Sequence, residues 1–205
     1  VRSRVAIKNV DMLVTGVGGQ GVILASDIVG EVALAAGCDV KKTDTLGMAQ
    51  RGGSVVSNLR IGKKVWSPLI REGGVDILVA FEKLEAARWV DYLRPGAVAI
   101  VNNHALPPLS VNLGNERYPS DEEIADILRQ RIDRVYSVNG TESAKSLGNV
   151  RVLNMYMLGC ASPLLPFDVQ MWKDCLSRRI RSDVLQTNIA AFDLGRKEGR
   201  DVHIR

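Results

Sequence analysis

Apolar positions along the chain follow two rhythms. Met12-Leu13-Val14, Ile77-Leu78-Val79-Ala80-Phe81, Val98-Ala99-Ile100-Val101 and Val135 to Val138 are short runs with the length and composition of sheet strands. Between the first two, Val22, Ile23, Ala25, Ile28, Val29, Val32, Ala33 and Ala36 recur at helical spacing as far as Gly37. Leu84 to Leu93 repeats that spacing until Pro95-Gly96. With Cys38-Asp39-Val40 as a second strand, the first third predicts a βαβ unit with a parallel pair. Ser54 to Arg60 alternates, and Gly62-Lys63 is placed to turn it into Val65-Trp66, which predicts an inserted hairpin. Ser120 and Glu123 have the capping-box spacing that starts a helix through Arg131.

From Thr141 the pattern is helical. One or two turns reach Leu147, Gly148-Asn149 breaks them, and an apolar helix runs from Val150 to Ala161. Beyond Pro163 and Pro166, amphipathic helices are expected over about Asp168–Ile180 and Asp183–Lys197, with Gly199 just past the end. The fold class expected is α/β: a mainly parallel sheet flanked by helices, with an inserted hairpin and a C-terminal helical layer. No repeat, low-complexity tract or linker divides the chain, so residues 1–205 are expected to form one domain.

Composition removes several classes of function. No apolar run reaches the ~20 residues that span a bilayer, and Val1-Arg2-Ser3-Arg4 opens onto a strand rather than a leader's apolar core. A cytoplasmic protein without membrane contact is expected. Cys38, Cys160 and Cys175 are too scattered for a thiolate cage, and His104 and His203 are the only histidines, so no bound metal is expected. The net charge of +4 is dispersed except at Arg178-Arg179-Ile180-Arg181, which argues against nucleic acid and leaves acidic ligands open.

Chemistry concentrates in two glycine-rich segments. Gly16-x-Gly18-x-x-Gly21 sits where a strand ends and a helix begins, the context in which backbone amides and a helix N-terminus hold a diphosphate. Three readings stand side by side: a ligand-free tight turn, a site for phosphate or another acidic ligand, and a full NAD or FAD site with Asp44 on the ribose. The second segment is Thr45-Leu46-Gly47-Met48-Ala49-Gln50-Arg51-Gly52-Gly53. Met48, Gln50 and Arg51 there offer an apolar contact, an amide and a fork that grips carboxylate or phosphate; alternatively Arg51 pairs with an acid such as Asp44. Adjacent parallel strands would bring both segments to one sheet edge. Glu82 and Glu85 read as caps of a helix start, Trp66, Trp89 and Trp172 as core or core edge, His104 as a surface residue, and Arg178, Arg179 and Arg181 as a solvated face.

Gly-x-Gly-Gly-Gln-Gly after the first strand, Gly-Met-Ala-Gln-Arg-Gly-Gly at 47 to 53, Ser67-Pro68-Leu69-Ile70 and Asn188-Ile189-Ala190-Ala191-Phe192-Asp193-Leu194-Gly195 carry a resemblance. In order, and over nearly the whole chain, they resemble the gamma-type domain of the 2-oxoacid:ferredoxin oxidoreductases, most of all its indolepyruvate type. The resemblance implies an accessory subunit of a complex that oxidatively decarboxylates an aryl 2-oxoacid, passes electrons to ferredoxin and makes an acyl-coenzyme A. It implies thiamine diphosphate and iron–sulfur clusters in a large partner subunit, ferredoxin met through the complex, and coenzyme A touched by this chain. Gly18, Gly19, Gln20 and Gly21 would present the glycine-turn amides, with Gly16 part of the same cofactor-binding turn, Arg51 would hold an anionic group, and Met48 and Gln50 would shape the cleft. No residue is assigned a catalytic role. Leu46 stands where many relatives have His or an aromatic residue, and Ala49 where pyruvate-type relatives often have Glu, which leaves the substrate open. The competing readings are an independent NAD- or FAD-binding oxidoreductase and a non-catalytic assembly module, and an isolated chain could self-associate.

Overall fold

Strands with an unbroken apolar run lie in the middle of the sheet, because both their faces are covered. The computed structural model describes residues 9–46 and 53–203. In chain order the elements are β1 (Val10–Val17), α1 (Val22–Ala35), β2 (Asp39–Leu46), β3 (Ser54–Gly62), β4 (Val75–Ala80), α2 (Lys83–Arg88) and β5 (Leu93–Asn102). They continue as α3 (Leu109–Asn112), α4 (Asp121–Arg129), β6 (Arg134–Val138), α5 (Gly140–Ser146), α6 (Leu153–Ala161), α7 (Val169–Arg179) and α8 (Ser182–His203). The sheet order is β2-β3-β1-β4-β5-β6, with β1, β4, β5 and β6 parallel and β3 antiparallel to both of its neighbours.

Alternation along β1 and β4 sends side chains to two cores. Met12, Val14, Ile77 and Val79 join Leu59 under α1, α6 and α7, with Trp172 wedged between Phe167 and Phe192. Leu13, Leu78, Ala99 and Val101 pack on the other face with Ala86 of α2 and with Ile124 and Leu128 of α4. The capping box of α4 forms as the spacing predicts: Ser120 Oγ accepts from Glu123 N, and the Glu123 carboxylate accepts from Ser120 N. The α/β class, the flanking helices and the C-terminal helical layer are all present.

Several local expectations are corrected. β1 and β2 run the same way but are not paired, since β3 lies between them. The hairpin is β2–β3, closing at Leu46 opposite Val55, and Val65-Trp66 forms no strand. Val65 N instead donates to Asp39 Oδ2 at 2.9 Å, and Trp66 is 85% exposed rather than in the core. Trp172 is fully buried and Trp89 half-buried. The helix after β4 stops at Arg88, and Pro95-Gly96 lie inside β5, where the register against β4 shifts between Val75 and Ile77. Such an irregularity is where a strand tolerates proline.

α8 runs through Gly199 to His203 instead of ending near Lys197, and Gly195 lies inside it as well. Both are needed for contact with α6. A Cβ on Gly195 would lie 2.0 Å from Tyr156 O, one on Gly199 2.3 Å from Cys160 O, and one on Gly159 of α6 2.2 Å from Phe192 O. The two helices therefore cross with backbone against backbone. Gly195→Ala is expected to lower stability by about 1–3 kcal/mol through overpacking. Gly30, inside α1, is the opposite case: an added Cβ meets Leu59 Cδ1 at 3.6 Å and Val40 Cγ1 at 3.7 Å, ordinary contacts. Gly30→Ala should raise stability by about 0.5–1 kcal/mol through helix propensity. Urea unfolding of both variants checks the pair of signs.

Candidate functional site

The C-terminal ends of β1, β4 and β5 share one edge of the sheet. There β1 turns through Gly18-Gly19-Gln20-Gly21 into α1, with Gly19 at φ 102° and Gly21, the residue capping the helix, at φ 82°. No side chain caps α1, and its first turn contains no acid, so its positive end is not neutralised locally. Gly18 N donates to Gly53 O at 2.8 Å, tying the turn to the residue at which the second glycine-rich segment ends. Gly53 thus reaches the same edge as the glycine turn, although through β3 and not through an adjacent parallel strand. Met48, Gln50 and Arg51 lie outside the described residues.

Gln20 works inside the fold. Its Oε1 accepts from Val17 N at 2.7 Å and its Nε2 donates to Phe81 O at 3.1 Å, while its own amide donates to Val17 O at 3.1 Å. Phe81 O also accepts from Asn102 Nδ2 at 3.0 Å, and Asn102 is clasped by Thr141 Oγ1 and Thr141 N at 2.9 and 3.2 Å. Of the four expected amides, those of Gly18 and Gln20 are therefore already used. No bond among the described residues takes up the amides of Gly19 and Gly21. Gly16 fits as glycine because a Cβ would sit 2.7 Å from Gln20 Oε1 and 2.8 Å from Phe81 Cβ. At Gly21 the nearest group is the Asn154 side chain, 2.5 Å from where a Cβ would be.

The floor beside this turn carries two buried carboxylates. Glu82, 1% exposed, caps α2 by accepting from Glu85 N at 2.9 Å, as its position predicts, and also accepts from Leu106 N at 3.0 Å and from the Tyr118 hydroxyl. Burial and then that bond push the Tyr118 phenol far above its ordinary range. Glu85, 2% exposed, accepts from Ser54 Oγ at 2.5 Å, directly after the second glycine-rich segment, and from Arg88 Nη1 at 2.6 Å. The sequence alone assigns no role to Asn102, Asn154 or Ser54. Only Asn102, a polar residue ending an apolar run, left a signal.

Asp44 is poorly placed for ribose. It accepts from Ser57 Oγ at 2.6 Å and pairs with Lys42 at 2.8 Å, on a strand separated from β1 by β3. Arg179 is no idle surface charge, since it bridges Asp27 and Glu31 of α1, both at 2.9 Å. His104 is half-buried beside Asn102. Among the described residues, no group of three or more His, Cys, Asp or Glu side chains could hold a metal ion, and no helix is long and apolar enough to cross a membrane.

Residues 11–198 match the family described as pyruvate ferredoxin/flavodoxin oxidoreductase. The chain is 32% identical over 199 residues to the indolepyruvate oxidoreductase subunit IorB of Pyrococcus horikoshii, covering 96% of this chain and 98% of that one. Its fold is similar to a structure of 2-oxoglutarate:ferredoxin oxidoreductase from Magnetococcus marinus with 2-oxoglutarate, coenzyme A and succinyl-CoA bound, with a TM-score of 0.75 at 22% identity. That match takes in 95% of this chain but only 32% of the longer one. The gamma subunit of a keto/oxoacid ferredoxin oxidoreductase from Geobacter sulfurreducens matches with a TM-score of 0.69 at 22% identity, over 94% of this chain and 99% of that subunit.

Two outcomes test this geometry. Gln20→Ala should cost about 1–3 kcal/mol, because Val17 N and Phe81 O each lose a partner, and Gln20→Glu should cost more by setting a carboxylate against the Phe81 carbonyl; urea unfolding measures both. The thiols should be unreactive: burial, then Glu31, pushes Cys175 up to about 12, and burial, then the Glu198 charge, pushes Cys160 up as well. At pH 8, below both raised values, neither is thiolate. A thiol-specific disulfide reagent should titrate no more than Cys38 in the native chain and all three thiols in denaturant.

Proposed function

Because the chain belongs to the pyruvate ferredoxin/flavodoxin oxidoreductase family, we propose that it is the accessory subunit of an indolepyruvate-type 2-oxoacid:ferredoxin oxidoreductase. The complex would oxidatively decarboxylate an aryl 2-oxoacid, form an acyl-coenzyme A and deliver electrons to ferredoxin. The substrate class follows the IorB relative of Pyrococcus horikoshii, which aligns with this chain nearly end to end. We assign thiamine diphosphate and the iron–sulfur clusters to a larger partner subunit in the cytoplasm, and residues 1–205 to one gamma-type domain. Thiamine diphosphate would supply the carbanion chemistry of decarboxylation, and this chain has no Gly-Asp-Gly triplet with a distal Asn to hold its metal.

The observation that carries the role of this chain is the bond from Gly18 N to Gly53 O, which joins the two glycine-rich segments at the start of a helix without an acid in its first turn. That is an edge suited to an anion, and coenzyme A and a 2-oxoacid are both anions. The amides of Gly19 and Gly21 and the guanidinium of Arg51 are the groups we assign to it, with Gly16 allowing the close turn and Met48 and Gln50 shaping the cleft. The side chains of Glu82, Glu85 and Asn102 are bonded within the fold, which supports placement rather than catalysis as the contribution of this chain. Trp66 and Leu69 expose apolar surface suited to a partner subunit.

Reconstitution tests the reading. The purified chain alone should show no 2-oxoacid oxidation with thiamine diphosphate, coenzyme A and ferredoxin added. In the complex assembled with its large subunit, Arg51→Ala should weaken coenzyme A or 2-oxoacid use about tenfold or more, and Arg51→Lys should restore it only in part. Unchanged KM and kcat in Arg51→Ala would make that segment structural, and turnover by the chain alone would end the accessory reading.

A further inference from the structure

A second cationic pocket lies away from the glycine turn, between the first residue of α7 and the C-terminal half of α8. It has a volume of about 410 Å³ and is lined by Val169, Asp193, Arg196, Lys197, Arg200 and Asp201. That volume is within the range of small-ligand pockets. Arg196 is fixed at its wall: Nη1 donates to Ser162 Oγ at 2.6 Å, and Ser162, itself fully buried, donates to Gly159 O at 2.8 Å. Arg196 Nε is buried with no hydrogen-bond partner. Burial and the Ser162 bond hold this guanidinium in one place at the pocket wall.

Three cations and two acids, Asp193 and Asp201, line the pocket, which leaves it net positive. Arg200 stands one helical turn beyond Arg196, and among the described residues neither guanidinium makes an ion pair, whereas Asp193 is already taken by Lys173 at 2.8 Å. Asp168, at the mouth of α7, accepts from Gln170 N at 2.7 Å. Burial first, and then the charge of Arg200, makes Arg196 easier to deprotonate than an ordinary arginine. Two guanidiniums one turn apart on the same helix, and lining the same pocket, gain from an oxyanion set between them, and their planar forks match phosphate oxygens.

We propose that this pocket binds a phosphate group, either free or as the monoester of a small molecule, between Arg196 and Arg200 with Lys197 at its rim. The proposal does not rest on the accessory-subunit reading and involves no residue of either glycine-rich segment.

The test follows the Arg196 Nε–Hε resonance of the full-length ¹⁵N-labelled chain, assigned by triple-resonance NMR, during titration with inorganic phosphate and with glycerol 3-phosphate. A saturable shift with either probe is expected, and a tighter constant for the ester would identify the monoester as the ligand. Arg200→Ala, an exposed position, should weaken that constant tenfold or more. Arg51→Ala should leave it unchanged, which separates this site from the anion edge proposed above. A signal that does not move, a drift reproduced by chloride at equal ionic strength, or the same constant in Arg200→Ala would overturn the proposal.

Discussion

One antiparallel strand placed between two that run the same way sets the layout of this edge. With β3 between β1 and β2, β2 ends at Leu46 opposite Val55, and β3 begins at Ser54 opposite Val17, where β1 gives way to the glycine turn. Had β2 paired directly with β1, its end would have lain about 5 Å from the turn, as in a dinucleotide fold, with Asp44 beside the helix start. Insertion of β3 roughly doubles that spacing, and Asp44 is left to bond with Ser57 and Lys42. The same insertion puts Gly53 within hydrogen-bond reach of Gly18.

A rigid floor supports that edge. Phe81 O is the common acceptor of Gln20 and Asn102, so the ends of β1, β4 and β5 are pinned by two side-chain amides. Below them Glu82 and Glu85 are withdrawn from water, which is tolerable because each has several donors, including the fork of Arg88 and the hydroxyls of Ser54 and Tyr118. Glu85 reaches from α2 to the first residue of β3, so the far end of the second glycine-rich segment is held from the opposite side of the sheet. Nothing in this arrangement needs to titrate for the edge to keep its shape.

Much of this was legible in the sequence, and the failures have physical causes. β4 and β5 announce themselves because burial on both faces makes Ile77 to Phe81 and Val98 to Val101 unbroken apolar runs, and the capping box of α4 is a local motif whose geometry is fixed by its own residues. β2 beyond Val40 reads as polar chain because it is an edge strand, where Lys41, Lys42 and Asp44 face solvent or salt partners. Its pairing with β3 depends on contacts made by distant residues. Gly199 reads as a stop signal only while α6 is ignored; in the folded chain it is a contact residue. The glycine turn was recognisable as an anion-type turn, yet the internal duty of Gln20 depends on Phe81, sixty-one positions away, and no local spacing encodes that.

Among the described residues, the groups with chemistry are mostly engaged in packing. Cys160 and Cys175 are buried with thiols pushed upward, the acids beside the glycine turn are saturated with donors, and the crossing of α6 and α8 closes the helical layer without room for a prosthetic group between their backbones. What the molecule can offer is fixed position: free amides at a helix start, cations on short tethers, and apolar side chains such as Trp66 and Leu69 held out from the body. In the accessory role proposed above, these would be the means by which one folded unit orients an anionic substrate for chemistry carried on another. They also explain why the same architecture serves both as a free-standing subunit and as one third of a longer chain: the cores on both faces of the sheet close within these residues, and the surface left over is available for contact.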